Sequence, residues 1–419
     1  MRLSDITEAM KTQPIEKARE TALKLLAYCR SQNWAGYDPY DALNSRILDI
    51  LPVLNSRLPR LVLIQALKRS PVNPRRLLFV PKTQNPKGIA LFLASLLKLR
   101  PEDVADRQAL IELMIERLSS LRSPHARYAC WGYNFPWQTR TVVIPRGEPN
   151  LVSTVFAADA LLDAYEDGQG WHCLSLAVSA ADYIANELYW TDGPSRAGFS
   201  YPQASLRGQI HNANFLGAAL LSRVYRLTGQ SKYIEPALQV ARYSARSQKA
   251  DGSWPYGEAP TQQWIDNFHT GYNLCALQAI GRHLETAEFD PCIRRGFEFY
   301  RARFFREDGA VRYFHDNTYP IDVHCVAQSI ITLLAFREYG EDNIRLAHSV
   351  FEWARTHMWD EKGFFYYRVL RFGTIRTPYM RWSQAWMLLA LSQLIDATAA
   401  LPSTARMDTT ADLVSSYEA

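Results

Sequence analysis

The sequence predicts an all-α fold, a ring of helical hairpins built from inner and outer helices, and three observations predict it. A glycine followed by aromatics returns in polar, Pro- and Trp-rich segments: Gly36-Tyr37, Trp131-Gly132-Tyr133, Gly198-Phe199, Gly252-Ser253-Trp254, Gly309 ahead of Tyr313, and Gly363-Phe364. From Gly198 onward these glycines lie 54, 57 and 54 residues apart, the length of two helices and a decorated loop. Charged amphipathic stretches alternate with almost uniformly apolar ones, the signatures of helices with one wet face and of helices covered on several sides.

Taken in order, the amphipathic stretches at 15–31, 104–121, 170–188, 231–248, 289–305 and 341–357 read as outer helices. Small-residue, charge-poor stretches at 152–166, 212–227, 269–284, 324–338 and 383–396 read as inner helices. Two further inner candidates, 42–54 and 87–99, lie in a less regular first third. Between them, 57–86 carries Pro59, Pro71, Pro74, Pro81 and Pro86 and reads as an irregular insertion, because proline blocks helix interiors and restrains its predecessor. Residues 1–400 then form one domain, with 401–419, rich in Ala, Ser and Thr, as a frayed tail.

The 419 residues are 47% hydrophobic, enough for a large core. A net charge of +5 without an extended basic run argues against nucleic acid or a membrane surface as partner. The opening Met1-Arg2-Leu3-Ser4 lacks a secretory apolar core and no long apolar run follows, so a cytoplasmic location without integral membrane segment is expected. Six cysteines without a CxxC pair read as buried thiols.

In such a ring the inner helices run parallel, so their N-termini and the loops before them gather at one mouth that favours anions. Polar residues cluster at those helix starts: His211 and Asn212, Asp266 and His269, Asp322 and His324, Arg381 and Gln384. The loops add Trp131, Tyr133, Trp137, Arg140, Trp254, Tyr256, Glu258, His315, Asp316 and Trp382, with Arg146 and Arg312 as further cations. Rings beside scattered polar groups suit a sugar, whose C–H faces stack and whose hydroxyls hydrogen-bond. A plainer reading stands beside this one: Asp266 and Asp322 sit where N-caps belong, and the glycine-aromatic tips serve as turns and plugs.

Proton abstraction next to a carboxylate needs a base and a group that neutralises the developing charge; His269, His324, Asn212, Tyr256 and Arg381 are the candidates. Hydrolysis instead needs two flanking carboxyls, for which Glu258, Asp266, Asp316 and Asp322 are available. No two histidines share metal-ligand spacing, so neither a metal nor another cofactor is expected. A nucleophile elbow, a Walker loop and a dinucleotide fingerprint are missing from the sequence.

Gln248-Lys249-Ala250-Asp251-Gly252-Ser253-Trp254 resembles the QxxxGxW repeat of prenyltransferase and squalene-cyclase barrels, without their acidic motifs. From Trp131 to Ile395 the chain resembles a Vps-type polysaccharide-biosynthesis family of bacterial exopolysaccharide clusters, through Trp131-Gly132-Tyr133-Asn134-Phe135-Pro136-Trp137-Gln138, Trp264 to Tyr272, and Arg381-Trp382-Ser383-Gln384-Ala385-Trp386. That resemblance implies an (α/α)6 toroid of six hairpins, the architecture of uronyl hydrolases, polysaccharide lyases and sugar epimerases. The expected function is a carbohydrate-active enzyme handling an acidic glycan or glycan intermediate, by lyase- or epimerase-type proton abstraction ahead of glycoside hydrolysis. The alternatives are a non-catalytic partner of a glycan, a glycosyltransferase or other assembly proteins and, third, an isoprenoid-handling barrel.

Overall fold

The computed structural model describes residues 3–138, 142–193, 195–340 and 342–399. The first helix is α1 (Leu3–Ser31), followed by short α2 (Ile47–Ile50) and by α3 (Arg57–Arg69). Inner and outer helices then alternate: α4 (Pro86–Lys98), α5 (Arg107–Ser120), α6 (Leu151–Glu166), α7 (Trp171–Tyr183), α8 (His211–Thr228), α9 (Ile234–Arg246), α10 (Asn267–His283), α11 (Asp290–Phe304), α12 (Val323–Ala335), α13 (Asp342–Met358) and α14 (Trp386–Ala399). The inner helices α4, α6, α8, α10, α12 and α14 pack each on the next, and α14 returns to α4, which closes the ring. Each inner helix also packs on the outer helix after it, while α14 takes α1 as its outer partner. The chain is therefore an all-α toroid of inner and outer helices.

The residue pattern accounts for this layering. In α9 only Ala237, Val240, Ala241 and Ser244 are buried, one stripe at helical spacing, as an outer helix requires. In α12 eleven residues, from Val323 to Leu334, are buried, because neighbours cover it all round. Four inner helices start at side-chain caps: Asn85, Asn150, Asp266 and Asp322 each accept a backbone N–H of the first turn. The recurring glycines brace the outer wall. Gly252 (φ +91°) lies where a Cβ would sit 2.2 Å from the Arg295 carbonyl of α11, and Gly309 (φ +82°) where one would sit 2.6 Å from the Ser349 carbonyl of α13. Only glycine permits both the left-handed turn and that approach.

The first third departs from the expected pattern. Residues 42–54 form no inner helix but a 3-10 turn at Asp41–Asn44, α2, and a second 3-10 turn that starts at Pro52. The Pro-rich insertion, conversely, contains α3. Pro59 falls in its first turn, where a missing N–H costs nothing. Ile64 and Leu67 of α3 pack with Ala42 and Val80 in a small core separate from the main one. At the last unit the chain winds through a π-type turn, Met380–Ala385, before α14. Ile321-Asp322 pairs antiparallel with Arg368-Val369, which sets Arg368 beside Asp322. The tail at 401–419 lies outside the described residues. Among the described cysteines all are free, and only Cys275 is not fully buried.

Candidate functional site

Helical phase sorts the inner-helix starts into two sets. Consecutive residues of a helix point about 100° apart, so first and second positions cannot face the same way. The first residues Leu151, His211, Asn267 and Val323 are fully buried. His211 Nδ1 lies 3.3 Å from Ser244 Oγ of α9, and Asn267 Oδ1 accepts from Tyr300 Oη of α11 at 3.0 Å, so this set faces the outer wall. The second residues are Lys87, Val152, Asn212, Phe268 and His324, joined by Arg381 as second residue of the turn into α14. One helical turn deeper, Phe156 on α6, Tyr272 on α10 and Trp386 on α14 meet edge-to-face and stacked at 5.3 to 5.8 Å across the ring. They share helical faces with the second residues and form an aromatic floor beneath them.

On this floor stand two histidines. His324 is 1% exposed, stacked on Phe268 at 4.6 Å and on Trp386 at 4.5 Å, with Nε2 2.7 Å from Tyr272 Oη. Its Nδ1 has no partner among the described residues. Burial first, then the nearby cations Lys87 and Arg381, hold it well below the usual histidine range, so it is neutral at pH 7. His269, at the third position, is partly exposed. Asp266 takes its Nδ1 at 2.6 Å while capping its backbone N–H at 2.9 Å, which fixes the ring and leaves Nε2 without a hydrogen bond in the described structure. Tyr256 stacks on Trp264 at 4.6 Å and lies 4.7 Å from the His269 ring, so a two-ring shelf flanks this histidine.

Among the described residues, Arg381, Arg368 and Arg75 are paired with carboxylates and Lys87 is not. Arg381 makes a two-point contact with Asp38, Nε to Oδ2 at 2.7 Å and Nη2 to Oδ1 at 2.8 Å, with both side chains about 5% exposed. Arg368 Nε reaches Asp322 Oδ2 at 2.5 Å, and Trp382 Nε1 donates to the other oxygen at 2.9 Å. Arg75 pairs with Asp41 at 2.7 Å, whose carboxyl burial pushes up to about 6 against the pull of that guanidinium. Lys87 has no ion pair and no side-chain hydrogen bond among the described residues. Its Nζ lies 3.9 Å from the Phe156 ring centre, 5.1 Å from Trp386 and 5.3 Å from Tyr272, and the residue is 3% exposed. Burial, then the Arg381 charge, pushes this ammonium well below the usual lysine range.

The structure brings His269, His324, Asp266, Asp322, Arg381, Tyr256, Asn212 and Trp382 to the mouth or the ring, with Tyr133 alongside. Tyr133 stacks on Phe135 at 5.4 Å and lies 5.3 Å from the Arg381 guanidinium; Trp137 stands edge-on to it at 6.3 Å. Several expected sugar contacts lie elsewhere. Trp131 and Trp254 are buried wall residues whose Nε1 groups donate to Leu118 and Ser244 carbonyls, so neither offers a face to a ligand. His211 faces the outer wall. Gln384 is fully buried and holds both the N–H and the carbonyl of Phe365. Glu258 is exposed and accepts from Tyr243 Oη; Asp316 is exposed beside Asn317. His315 contacts the Ile265 carbonyl at 3.4 Å behind the Asp266 loop. Arg312 donates to the Arg303 carbonyl, Arg146 is exposed, and Arg140 lies outside the described residues.

Lys87, Asp38, Arg368 and the floor rings escaped sequence reasoning. For Lys87 a signal existed: Asn85-Pro86 is a cap followed by a first-position proline, so Lys87 occupies the place in its unit that His324 and Arg381 occupy in theirs. Among the described residues no three His, Cys, Asp or Glu side chains gather as metal ligands.

No family model matches the chain, and no curated protein sequence matches it. Solved structures do resemble it. A cellobiose 2-epimerase from Bacillus thermoamylovorans superposes with a TM-score of 0.56 at 12% identity, over 75% of this chain and 90% of that one. An unsaturated glucuronyl hydrolase specific for heparin gives 0.57 at 11% identity, over 91% and 97%. An α-mannanase from Bacteroides thetaiotaomicron gives 0.57 at 10% identity, over 75% and 86%. At such identities the likeness is one of fold, a toroid that hosts carbohydrate epimerases and glycoside hydrolases.

Proposed function

We propose that this chain is a carbohydrate-active enzyme that moves a proton at a sugar carbon adjacent to a carbonyl or carboxylate, in lyase- or epimerase-type chemistry on an acidic glycan or glycan intermediate. The observation that carries this reading is the pair of histidines above one aromatic floor. His269, oriented by Asp266 through Nδ1, presents Nε2 to the mouth; His324, kept neutral by burial, has an unpartnered Nδ1. Two such groups supply a base and an acid at neighbouring positions, and the aromatic shelf and floor offer stacking faces for the sugar ring. The sequence resemblance to exopolysaccharide-cluster proteins supports placing that glycan in polysaccharide assembly.

Hydrolysis fits the site less well. A glycosidase needs a protonated carboxyl aimed at the leaving oxygen. Asp266 accepts three N–H donors, from the His269 backbone, the His269 ring and Trp264 Nε1, and Asp322 accepts three, from the His324 backbone, Arg368 and Trp382. Carboxylates so engaged serve as caps and orienting groups, with their oxygens turned to those donors. Lys87, as the cation without a carboxylate partner, is suited to an anionic substituent of the sugar.

The test is solvent deuterium incorporation into D-glucuronate and its oligosaccharides, followed by NMR. Exchange at one sugar carbon that His269→Ala lowers by about two orders of magnitude or more supports the reading. Release of saturated reducing ends with neither deuterium uptake nor a new C=C bond beside the carboxylate, or neither exchange nor elimination with the intact protein, overturns it.

A further inference from the structure

The insertion carries a surface that the catalytic reading does not use. Fourteen large hydrophobic residues stand exposed among the described residues, and eight of them fall between Ile50 and Phe79. Helix α3 is apolar on two sides. Ile64 and Leu67 are packed inward, while Leu58 and Val62 lie on the opposite face at 71% and 68% exposure. A second apolar face on a helix of this kind is normally covered by a partner. Val72, Leu77 and Phe79, in the stretch that follows α3, are exposed as well.

The charge of this segment is equally uneven. Between Arg46 and Arg76 stand seven basic residues and one acid, a local net of +6 in a chain whose total is +5. The modest total therefore conceals a concentrated basic patch, and the rest of the chain is slightly acidic. Arg75 is neutralised by Asp41, but Arg46, Arg69 and Arg76 are exposed. Bases interleaved with uncovered Leu, Val and Phe match an anionic lipid surface, where headgroup phosphates meet the charges and the acyl boundary takes the apolar side chains. A two-fold pairing of identical copies would instead set one +6 patch against another.

We propose that residues 46–79 dock the protein on an anionic lipid surface, with Leu58, Val62, Leu77 and Phe79 entering the headgroup boundary and Arg69 and Arg76 facing lipid phosphates. The segment adjoins the mouth. Gln138 Nε2 donates to the Arg57 carbonyl, and Lys68 Nζ reaches Tyr40 Oη, whose ring stands edge-on to Trp382 at 5.5 Å. Among the described residues no helix is long and apolar enough to cross a membrane, so attachment is peripheral and salt-sensitive.

The experiment is co-sedimentation of the full chain with vesicles of phosphatidylcholine alone or with about 30% phosphatidylglycerol. Binding is expected to the anionic vesicles only and to be lost at about 0.5 M salt, where the screening length falls to a few ångström. Arg69→Glu with Arg76→Glu lowers it by about fivefold or more for each charge removed, and Val62→Glu with Leu77→Glu abolishes it, with the helical dichroism unchanged. Equal binding to both vesicle types, no binding to either, or indifference to both variant pairs overturns the proposal. So does light scattering that finds a dimer dissociated by Val62→Glu, which gives the face to a second copy, or an apolar-dependent complex with a soluble protein in place of vesicle binding.

Discussion

His211 and His324 occupy nearly the same place in their units. Both lie in the first turn of an inner helix, and both are sealed from solvent at 0% and 1% exposure. His211, in first position, meets Ser244 on the wall; His324, in second position, faces the ring and meets Tyr272. One residue of helical phase, about 100°, separates a core histidine from a candidate acid–base group. Composition at the helix starts is thus less informative than the count from the cap.

The largest expected effect contrasts these two positions on activity. His324→Ala should lower proton exchange by about two to four orders of magnitude, whereas His211→Asn should leave the rate intact when both are assayed at matched folded fractions. Equal losses would erase the distinction. A second test asks whether ring-facing charges depend on their partners. Asp38→Ala strands the buried Arg381 guanidinium and should cost about 3–5 kcal/mol in denaturant unfolding, while Asp38→Leu combined with Arg381→Met should recover most of it.

A third prediction uses pH. Burial depresses His211 from 6.5 to about 4, so the fold holds it neutral. The unfolded chain binds the extra proton between those values, and the stability this histidine contributes, full above pH 6.5, declines as pH falls toward 4. That decline amounts to about 3 kcal/mol. His211→Asn should remove that share of the acid sensitivity in thermal melts between pH 7 and pH 4. The smallest effect has the opposite sign. Lys87→Met replaces an unpaired buried cation with an apolar chain of similar length and should raise stability by about 1–2 kcal/mol, with weaker binding of a carboxylate-bearing sugar by calorimetry. A destabilised Lys87→Met would mean that the contacts of the ammonium with the Phe156, Tyr272 and Trp386 rings outweigh its desolvation.

Much of the ring was legible because its cause is local. The 54- to 57-residue repeat and the caps Asp266 and Asp322 are written in contiguous stretches, and the structure brings the helices they begin to one mouth. The rest depends on contacts between distant residues. Trp131 and Trp254 sit in phrases that suggest a ligand shelf, yet each donates its N–H into the wall, and nothing within seven residues specifies which side of the loop the ring takes. Lys87 stayed hidden because its unit lacks the regular glycine spacing, although its cap is as plain as the others. The basic insertion was averaged away in a total of +5.

The Asp38–Arg381 contact joins residues 343 positions apart, and α1 forms the outer wall for α14. The pocket draws on the start, the middle and the very end of the chain. A ribosome that has passed α12 has released every residue of the His269 shelf and His324, but the floor still lacks Trp386 and the wall its final stave. No nascent fragment holds the whole floor, and the ring closes only when the last inner helix packs onto the first inner and outer helices.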